Sequence, residues 1–414
     1  MRRTLQVYWE SRRVGELTQE DGTLTFSYDG DYRSSPGAQP LSRQLPLTSA
    51  EFANAAASAF FSNLLPEGGI RRRVARQLGV SAENTFGLLE GIGGDCAGAV
   101  SVLRPGEVPL QSGRYRPIST DELGRELASL PSHPFLAGEE GVRLSLAGAQ
   151  NKLPLFVDQD AYFIPEGNLP SSHILKIAID KLEDTVTNEA FCMTLARRVG
   201  LLVPEARVVE IAGEKVYLVE RYDRVRTASG SVERLHQEDF CQALGVFPEL
   251  KYEQEGGPGF AQCFSLVGGW SVEPILDTLS LLRWALFNFL IGNADSHAKN
   301  LSFLYHAGSV RLAPFYDLLS TAVYERVNNK FAMKMGGQKD PRYLMPQDLA
   351  AFAKEVGIGL RTVKGQLAEL CQKVTDEIAP LAQTYRDRYQ DPPIVADILR
   401  VVDQRIRKAR TLAS

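Results

Sequence analysis

The sequence has few of the features that mark secreted, disulfide-rich or zinc-binding proteins. Its 414 residues include only five cysteines, which are scattered and show no CxxC spacing. That pattern argues against a disulfide framework or a zinc site and favours a reducing compartment. The first residues, MRRTLQVYWESRRVGELT, contain too short an apolar stretch for a secretory signal, and no small-residue cleavage site follows. We therefore expect a cytoplasmic protein.

Long apolar runs and an excess of one charge are also missing. The most apolar segment, 279–291, contains Arg283 and Asn288 and is too short to span a bilayer, so it predicts a buried helix and no membrane contact. A net charge of -4 gives no general attraction to nucleic acid or anionic lipid. Two basic clusters, 70–79 and 403–410, are local candidates for binding, although solvated helix faces are their more ordinary interpretation.

The composition is that of a globular protein, 44% hydrophobic and 23% charged, and the length predicts two or three structural units. Residues 4–28 alternate as in a small antiparallel sheet. From about residue 140 the pattern changes to strand, small-residue turn and strand, followed by further strands, a helix ending at Gly200 and a hairpin. After Asp223 the chain is mainly helical, interrupted by a hairpin in 300–317.

Five polar residues stand out because they interrupt or follow apolar elements. Lys176 lies within an apolar strand and Glu189 in the next helix, whereas Asp295 and Asn300 follow the apolar helix and Asp317 ends a hairpin. Asp295 and Asn300 are five apart, the spacing of a protein-kinase catalytic loop, in which the aspartate accepts the substrate proton and the asparagine holds Mg²⁺. The sequence therefore predicts phosphoryl transfer, which needs mainly positioning and charge neutralisation.

Each of these features also has an ordinary structural explanation. Asp295 fits a helix cap or turn, Lys176 a strand lysine with an exposed end, and Glu189 a surface carboxylate. Their order along the chain, which is that of a two-lobed kinase, is more specific than any one of them. The loop SLAGAQNK (145–152) departs from the kinase phosphate loop because it has one glycine, so a tight hairpin turn remains an alternative for it.

Several motifs together resemble the HipA family of bacterial serine/threonine kinases, the toxins of toxin–antitoxin pairs. They are RLSLAGAQNK, HILKI, VERYDR, QEDFCQALG, YEQEGGPG, IGNADSHAKNLSF and LAPFYDLLS, with RRVGELT, FFSNLLPEG and GDCAGAV nearer the start. The resemblance implies an α+β, two-lobed protein-kinase-like fold with an extra small N-terminal β-rich subdomain, a mainly helical C-terminal lobe and ATP between the lobes. The expected division is 1–108 for the N-terminal subdomain, 109–139 for a linker and helix, 140–222 for the kinase N-lobe and 223–414 for the C-lobe.

The resemblance also implies roles for individual residues. Asp295 would be the catalytic base, Asn300 and Asp317 would hold Mg²⁺, Lys176 would contact the ATP phosphates, and autophosphorylation of Ser145 would silence the kinase. The other nucleotide contacts would come from the hinge and from the loop over the phosphates, namely Glu220, Tyr222, Leu146, Ala147, Gly148, Ala149, Gln150, Asn151 and Lys152.

Two further residues lie in the expected catalytic loop. Lys299 either neutralises the transferring phosphate or supports the loop from outside the reaction. His297 fits a structural role better, because a hydrogen-bonded imidazole can brace such a loop.

The partners that the resemblance implies are a small helix-turn-helix antitoxin of the HipB type and a protein substrate. The antitoxin would form a heterotetramer with the kinase on operator DNA, near the nucleoid, and make most of the DNA contacts. The substrate would be an aminoacyl-tRNA synthetase, glutamyl-tRNA synthetase in the family. Two other functions stay open from the residues alone: a small-molecule phosphotransferase of kinase-like fold, or a catalytically idle corepressor, although an idle scaffold has no need of the four kinase-type residues.

Overall fold

The computed structural model describes residues 2–109, 113–138, 142–228 and 230–413. The strands in this part of the chain are β1 (Arg3–Trp9), β2 (Arg12–Glu20), β3 (Thr23–Tyr28), β4 (Glu51–Phe52), β5 (Val100–Leu103), β6 (Tyr115–Ile118), β7 (Lys152–Asp158), β8 (Ala161–Pro165), β9 (His173–Lys176), β10 (Ala206–Ile211), β11 (Glu214–Glu220), β12 (Arg224–Arg226), β13 (Val232–Arg234), β14 (His236–Asp239), β15 (Ser302–His306) and β16 (Ser309–Leu312). The helices are α1 (Gly30–Ser34), α2 (Asn54–Ser62), α3 (Gly68–Leu78), α4 (Thr85–Ile92), α5 (Thr120–Ser129), α6 (Thr185–Arg198), α7 (Phe240–Leu244), α8 (Phe260–Trp270), α9 (Pro274–Ile291), α10 (Pro346–Glu355), α11 (Leu360–Tyr389) and α12 (Pro393–Ala413).

The start of the chain forms the predicted small antiparallel sheet. Its strand order is β4-β3-β2-β1-β5. The alternating pattern places one side chain from each of three strands in a buried row, because Leu17 pairs with both Leu5 and Phe26 in register. The tight turn between β2 and β3 uses left-handed backbone at Asp21 and Gly22, a conformation that aspartate and glycine tolerate.

A second, six-stranded sheet has the order β10-β11-β9-β7-β8-β6. In its middle, Leu175 pairs with Leu153 on one side and Leu218 on the other, and all three side chains are buried. These leucines belong to the same continuous hydrophobic core as Phe26 of the first sheet. The N-terminal sheet is therefore packed on the same core as the strands of the expected kinase N-lobe.

The strand expected before the loop 145–152 is not formed in the described residues. Residues 142–151 are irregular, with single parallel bridges from Leu144 to Asp95 and from Gly148 to Pro66. The reason is that the backbone here bonds to irregular segments, as in the hydrogen bond from the Ser145 N–H to the Asp95 carbonyl oxygen. A partner that is not itself a strand cannot continue a ladder.

The helix predicted from the apolar run is confirmed as α9. It is long and apolar enough to cross a membrane by length and composition, but 61% of its most apolar window is buried inside the protein. Its neighbours are α8, α11 and α12. Residues Gln237–Asp239 belong to β14, which pairs with β15, and Asp239 also caps the following helix α7.

The chain separates into two compact units. Unit 1 comprises the described residues of 1–177, 209–249 and 302–310, and unit 2 those of 178–208, 250–301 and 311–414. The four-part division at 108, 139 and 222 stays a prediction, and residues 110–112 and 139–141, at two of its boundaries, lie outside the described residues. Unit 1 joins the expected N-terminal subdomain to most of the expected N-lobe.

A buried ionic cluster links these two parts of unit 1. The Asp95 carboxylate, 1% exposed, accepts hydrogen bonds from Arg221, Arg224 and Arg234 at 2.8 to 3.2 Å and from the Ser171 hydroxyl at 2.7 Å. Burial by itself raises the pKa of Asp95, but the three guanidinium groups outweigh burial and hold that pKa well below its ordinary value. The motifs GDCAGAV and VERYDR, more than 120 residues apart in the sequence, meet in this cluster.

We predict that Asp95→Asn destabilises unit 1 strongly. The change removes a buried negative charge and leaves three buried guanidinium groups without that countercharge. Breaking a buried ion pair in this way typically lowers the free energy of unfolding by about 3–5 kcal/mol. Urea unfolding at neutral pH measures the loss. The matched control is Asp158→Asn, which removes an exposed partner of Arg226 at 3.1 Å and is expected to cost at most about 1 kcal/mol. Equal losses in the two variants would contradict a structural role for the buried cluster.

Candidate catalytic segment and nucleotide-facing residues

In unit 2, the apolar helix α9 ends in a sharp turn that starts the candidate catalytic segment. Gly292 has left-handed backbone at φ 71°, and a Cβ atom there would approach Val401 and Ala322 to within 2.8 Å. The next N–H, that of Asn293, donates to the Asn288 carbonyl oxygen at 2.9 Å, which is the closing bond of a Schellman turn. Only glycine fits this position without strain, so the chain leaves the helix in one direction.

The Asn293 side chain holds the two expected catalytic stretches together. Its amide oxygen accepts the backbone N–H of Asp295 at 3.0 Å, and its amide nitrogen donates to the carbonyl oxygen of Asp317 at 3.3 Å. The same nitrogen donates to the Asn288 side chain at 2.7 Å. Asn293 is 3% exposed, so each of these bonds satisfies a buried polar group. The structure thus brings Asp295 and Asp317 into one hydrogen-bonded assembly.

Two further contacts connect the same stretches. The Thr321 hydroxyl accepts the backbone N–H of Ala294 at 2.7 Å and donates to the Gly292 carbonyl oxygen at 3.1 Å. The Tyr316 hydroxyl, next to Asp317, donates to the carbonyl oxygen of Lys299 at 2.6 Å. The segment 292–300 is therefore braced along its length by residues 316–321.

Asp295 and Asn300 lie at opposite ends of this segment and contact each other. The Asn300 amide nitrogen donates to the Asp295 carbonyl oxygen at 2.8 Å, which leaves the amide oxygen as the group of Asn300 that suits a hard cation. Asn300 and Lys299 are buried, whereas the Asp295 side chain is 51% exposed. Asp317 has left-handed backbone at φ 54°, an uncommon conformation for a residue other than glycine.

The donor set fits a magnesium ion better than a transition metal. In the described part of the chain, no three side chains of histidine, cysteine, aspartate or glutamate form a metal-binding group. A closed zinc site would require such a group. Mg²⁺ instead is held by one or two carboxylates, other oxygen donors, waters and substrate phosphates, which the Asp317 carboxylate and the Asn300 amide oxygen match.

His297 is a buried, neutral member of the segment. Burial lowers the pKa of His297 well below its ordinary value, and the nearby cations Lys251 and Lys299 lower it further, against a smaller opposing effect of Asp317. Its Nε2 atom lies 4.0 Å from the Asp295 carboxylate. Its buried Nδ1 atom has no hydrogen-bond partner among the described residues, so the hydrogen-bonded brace expected of His297 stays a prediction.

Two residues near Asp295 were missed by the sequence reasoning. The Tyr252 hydroxyl donates to Asp295 Oδ1 at 2.5 Å, and the Tyr252 ring meets the ring of His297 edge to face, with centroids 5.0 Å apart. Glu253 binds both the backbone N–H and the side chain of Lys334. The motif YEQEGGPG contains both residues, but nothing local in it indicates a contact with a residue 43 positions later.

In unit 1, the loop 145–152 is held against the chain near residues 64–67. Ser145 is fully buried, and its hydroxyl donates to the Leu64 carbonyl oxygen at 2.9 Å. The Gly148 carbonyl oxygen accepts the N–H of Glu67 at 3.1 Å, and the Lys152 ammonium donates to the Ala147 carbonyl oxygen. Gly148 has φ 108°, which requires glycine in practice.

The rest of this loop is tied down by side chains. The Gln150 amide donates to the Ile177 carbonyl oxygen at 3.0 Å, and the Asn151 amide oxygen accepts from Arg73 at 3.3 Å. Leu146 is buried, Ala147 is partly exposed and Ala149 is exposed. The loop is therefore an ordered turn whose surface is lined by small residues.

Lys152 and Lys176 lie directly opposite each other on the neighbouring strands β7 and β9. Both side chains are more than nine-tenths buried, and the Lys176 ammonium is 5.4 Å from the centre of the Tyr217 ring. Residues directly opposite each other on an antiparallel strand pair have their side chains on the same face, so both ammonium groups come from one face of the sheet. This paired arrangement, which the spacing of the sequence does not show, fits a triphosphate.

Glu220 and Tyr222, the expected hinge residues, flank a buried arginine. Glu220 is half-exposed and lies 3.8 Å from His173, its partner in register on β9. The Tyr222 hydroxyl donates to the Gln237 side chain. Arg221, which lies between them, forms ion pairs with Asp95 and Asp223. These ion pairs hold the backbone of residues 220–222 in place.

Glu189 differs from its expected environment. The side chain is buried in α6 with 4% exposure, so the interpretation of Glu189 as a surface carboxylate was wrong. It belongs to unit 2, whereas Lys176 belongs to unit 1. Its role as a lysine partner stays a prediction.

Comparisons with known proteins match both parts of the chain to one family. Residues 5–103 match the HipA N-terminal domain, and residues 144–378 match the HipA-like C-terminal domain. The Sinorhizobium fredii protein Y4mE is 42% identical over 395 residues, which cover 94% of each chain. A Shewanella oneidensis protein named serine/threonine-protein kinase toxin HipA is 34% identical over 391 residues, 91% of this chain and 88% of that protein.

A solved structure agrees with these matches. It is the Shewanella oneidensis MR-1 complex of HipA, HipB and operator DNA, which aligns with a TM-score of 0.88 and 30% identity over 99% of each chain. The two-lobed α+β fold expected from the motifs is thereby confirmed. The chain belongs to the HipA family of serine/threonine-protein kinase toxins.

Proposed function

We propose that the protein is an ATP- and Mg²⁺-dependent serine/threonine protein kinase that acts as the toxin of a toxin–antitoxin pair. The observation that carries this proposal is the assembly in unit 2 in which Asn293 links the segments of Asp295 and Asp317 and Asn300 binds the Asp295 backbone. Phosphoryl transfer requires this kind of fixed positioning more than it requires covalent help from the protein.

Asp295 is the proposed catalytic base. Its carboxylate is half-exposed, so a serine or threonine hydroxyl of a protein substrate can reach it, while its backbone is fixed at both the N–H and the carbonyl oxygen. It accepts the proton of the attacking hydroxyl. Lys299, buried in the same segment, is proposed to offset the charge of the transferring phosphoryl group.

Asn300 and Asp317 are the proposed Mg²⁺ ligands. Both supply oxygen donors, and both are tied to Asp295 through hydrogen bonds or through Asn293. Bound Mg²⁺ neutralises part of the charge on the nucleotide phosphates. The hydrogen bonds fix the Asp317 backbone and the Asn300 amide in the same assembly as the proposed base.

The proposed nucleotide contacts come from unit 1. Lys152 and Lys176, buried side by side, attract the phosphates, and the ordered loop 146–151 covers them with small residues. Glu220 and Tyr222 offer hinge backbone for the adenine, on a strand end that the Asp95 cluster holds rigid. ATP use is consistent with the kinase relatives.

The proposed partners follow the named relatives. The Shewanella oneidensis HipA was solved with HipB and operator DNA. We infer a similar small helix-turn-helix antitoxin for this chain, which would form a repressor complex with the toxin on operator DNA. The net charge of -4 supports DNA contact mainly through the antitoxin. The proposed substrate is an aminoacyl-tRNA synthetase, and the proposed location is the cytoplasm.

We expect Asp295→Ala to lower phosphoryl transfer by about 10²–10⁴-fold, the usual effect of removing a general base. Because this side chain is half-exposed, the fold should be unaffected. The measurement is transfer of labelled phosphate from Mg-ATP, with thermal unfolding in parallel. Asp403→Ala, which removes an exposed carboxylate on α12, is the control. Transfer within tenfold of the wild type would contradict the assignment of the base.

Asp317→Asn should weaken ATP binding in the presence of Mg²⁺ by at least roughly tenfold, since even the outer partners of metal ligands contribute that much. Binding of ATP in EDTA should change little, because the proposed lysine and hinge contacts lie in unit 1. Calorimetric titrations with and without Mg²⁺ test this. An equal loss in both titrations would argue against Asp317 as a ligand.

Incubation with Mg-ATP should place phosphate on Ser145 in the wild type but not in Asp295→Ala, as mass spectrometry can show. A phosphate adds about -1.5 to -2 charge and cannot fit where the Ser145 hydroxyl is fully buried, so the loop must rearrange and ATP affinity should fall. Ser145→Ala, treated in the same way, should keep its ATP affinity. A fully modified Ser145 with undiminished ATP binding would exclude the switch.

A further inference from the structure

The carboxylate of Asp295 has a partner that the proposed mechanism does not use. The Tyr252 hydroxyl donates to Asp295 Oδ1 at 2.5 Å, a short hydrogen bond between a neutral donor and a carboxylate. The bonds from Asn293 and Asn300 reach only the backbone of Asp295. Tyr252, which lies outside the segment 292–300, is therefore one of the groups that contact the half-exposed carboxylate directly.

The Tyr252 ring is itself fixed in place. It lies edge to face against the buried His297 ring at 85°, and the Lys251 ammonium lies 5.4 Å from its centre. The backbone carbonyl oxygen of Tyr252 accepts hydrogen bonds from the N–H groups of Glu255 and Gly257, both at 3.0 Å. These two bonds close a tight turn. A Cβ atom at position 257 would approach the Leu250 carbonyl oxygen to 1.8 Å, so this turn tolerates only glycine there.

The turn is also tied to the chain that follows Asp317. Glu253 accepts the Lys334 backbone N–H at 2.6 Å, and its carboxylate lies 3.2 Å from the Lys334 ammonium. In the other direction, the Glu253 N–H donates to the Ala332 carbonyl oxygen at 3.2 Å. The Tyr252 ring thus packs against His297, and the next residue, Glu253, ties the turn to residues 332–334.

We propose that Tyr252 is a positioning residue whose hydroxyl orients the Asp295 carboxylate for proton acceptance. This inference rests on the proposed kinase function and deepens it. A hydroxyl that merely occupied the place of the substrate hydroxyl would have to leave during the reaction, but the ring packing and the closed turn favour a fixed tyrosine. Tyr252 is thus the residue through which the motif YEQEGGPG contacts the proposed base.

The test is Tyr252→Phe, which keeps the ring and removes the hydroxyl. Phosphoryl transfer to the chain itself and to casein is measured over a range of Mg-ATP concentrations. The expected result is a roughly tenfold lower kcat with an unchanged KM for ATP, since a hydrogen bond to a charged group is lost away from the nucleotide contacts. Tyr343→Phe, at an exposed tyrosine of the same unit, should stay within twofold of the wild type.

Glu253→Gln is the second variant and tests the support of the turn. It keeps the Tyr252 hydroxyl but weakens the ion pair with Lys334, so kcat should fall less than in Tyr252→Phe, again with KM for ATP unchanged. A merely structural role of the turn would instead lower the thermal stability and raise KM in both variants. A faster Tyr252→Phe enzyme would also overturn the proposal, because it would identify the hydroxyl as an obstacle to substrate.

A double-mutant cycle separates this inference from the proposed function. The Tm shifts of Tyr252→Phe and Asp295→Ala should be non-additive, because each change removes the same hydrogen bond, and this readout needs no kinase activity. If the wild type transfers no more phosphate than Asp295→Ala, the proposed function fails while the cycle still reports the contact. If the wild type is active and Tyr252→Phe matches it, or if the Tm shifts are additive, the positioning role is wrong.

Discussion

The side chain of Asn293 is the contact on which the candidate catalytic segment depends. It lies directly after an apolar helix, where a buried amide is costly unless its oxygen and nitrogen are bonded. Its partners are Asn288 at the helix end, the N–H of Asp295 and the carbonyl oxygen of Asp317. The Gly292 turn leaves no room for a Cβ atom and directs the chain out of the helix, and the Asn293 amide then lies between the two stretches that it joins. The requirement to satisfy one buried polar group thus fixes the distance between two stretches of chain.

The same requirement organises unit 1, although there the groups are charged. Asp95 comes from the N-terminal part of the chain, while two of its guanidinium partners, Arg221 and Arg224, come from the hinge region. A buried charge must be paired, so the N-terminal sheet and the hinge strand cannot separate without exposing or orphaning ions. The hydrophobic core that the two sheets share also holds them together, through apolar contacts that require no particular orientation. For this reason the N-terminal subdomain stabilises the strands that carry the proposed nucleotide contacts.

Local patterns in the sequence were sufficient to predict the strands and helices whose formation depends on neighbouring residues. The first sheet follows from alternation and turn residues, and α9 follows from a long apolar run that ends in glycine. The order of polar residues predicted that Asp295, Asn300 and Asp317 act together, and the structure joins their segments by hydrogen bonds, while their individual roles stay predictions. The expected strand before Ser145 failed because strand pairing is decided by a distant partner, here an irregular segment. Tyr252 and the Asp95 cluster were missed for the same reason, since their contacts join residues 43 to 139 positions apart.

The backbone and the carboxylate of Asp295 are thus held by different parts of unit 2. Asn293 and Asn300 fix the backbone, whereas Tyr252 reaches the carboxylate from a turn that Glu253 ties to residues 332–334. A displacement of residues 332–334 would therefore change the direction of the carboxylate before it changed the backbone of 293–300. For the proposed base, the carboxylate direction would set the geometry of proton acceptance. Residues 332–334 connect to that carboxylate through Glu253 and Tyr252, and this path does not pass through the backbone of 293–300.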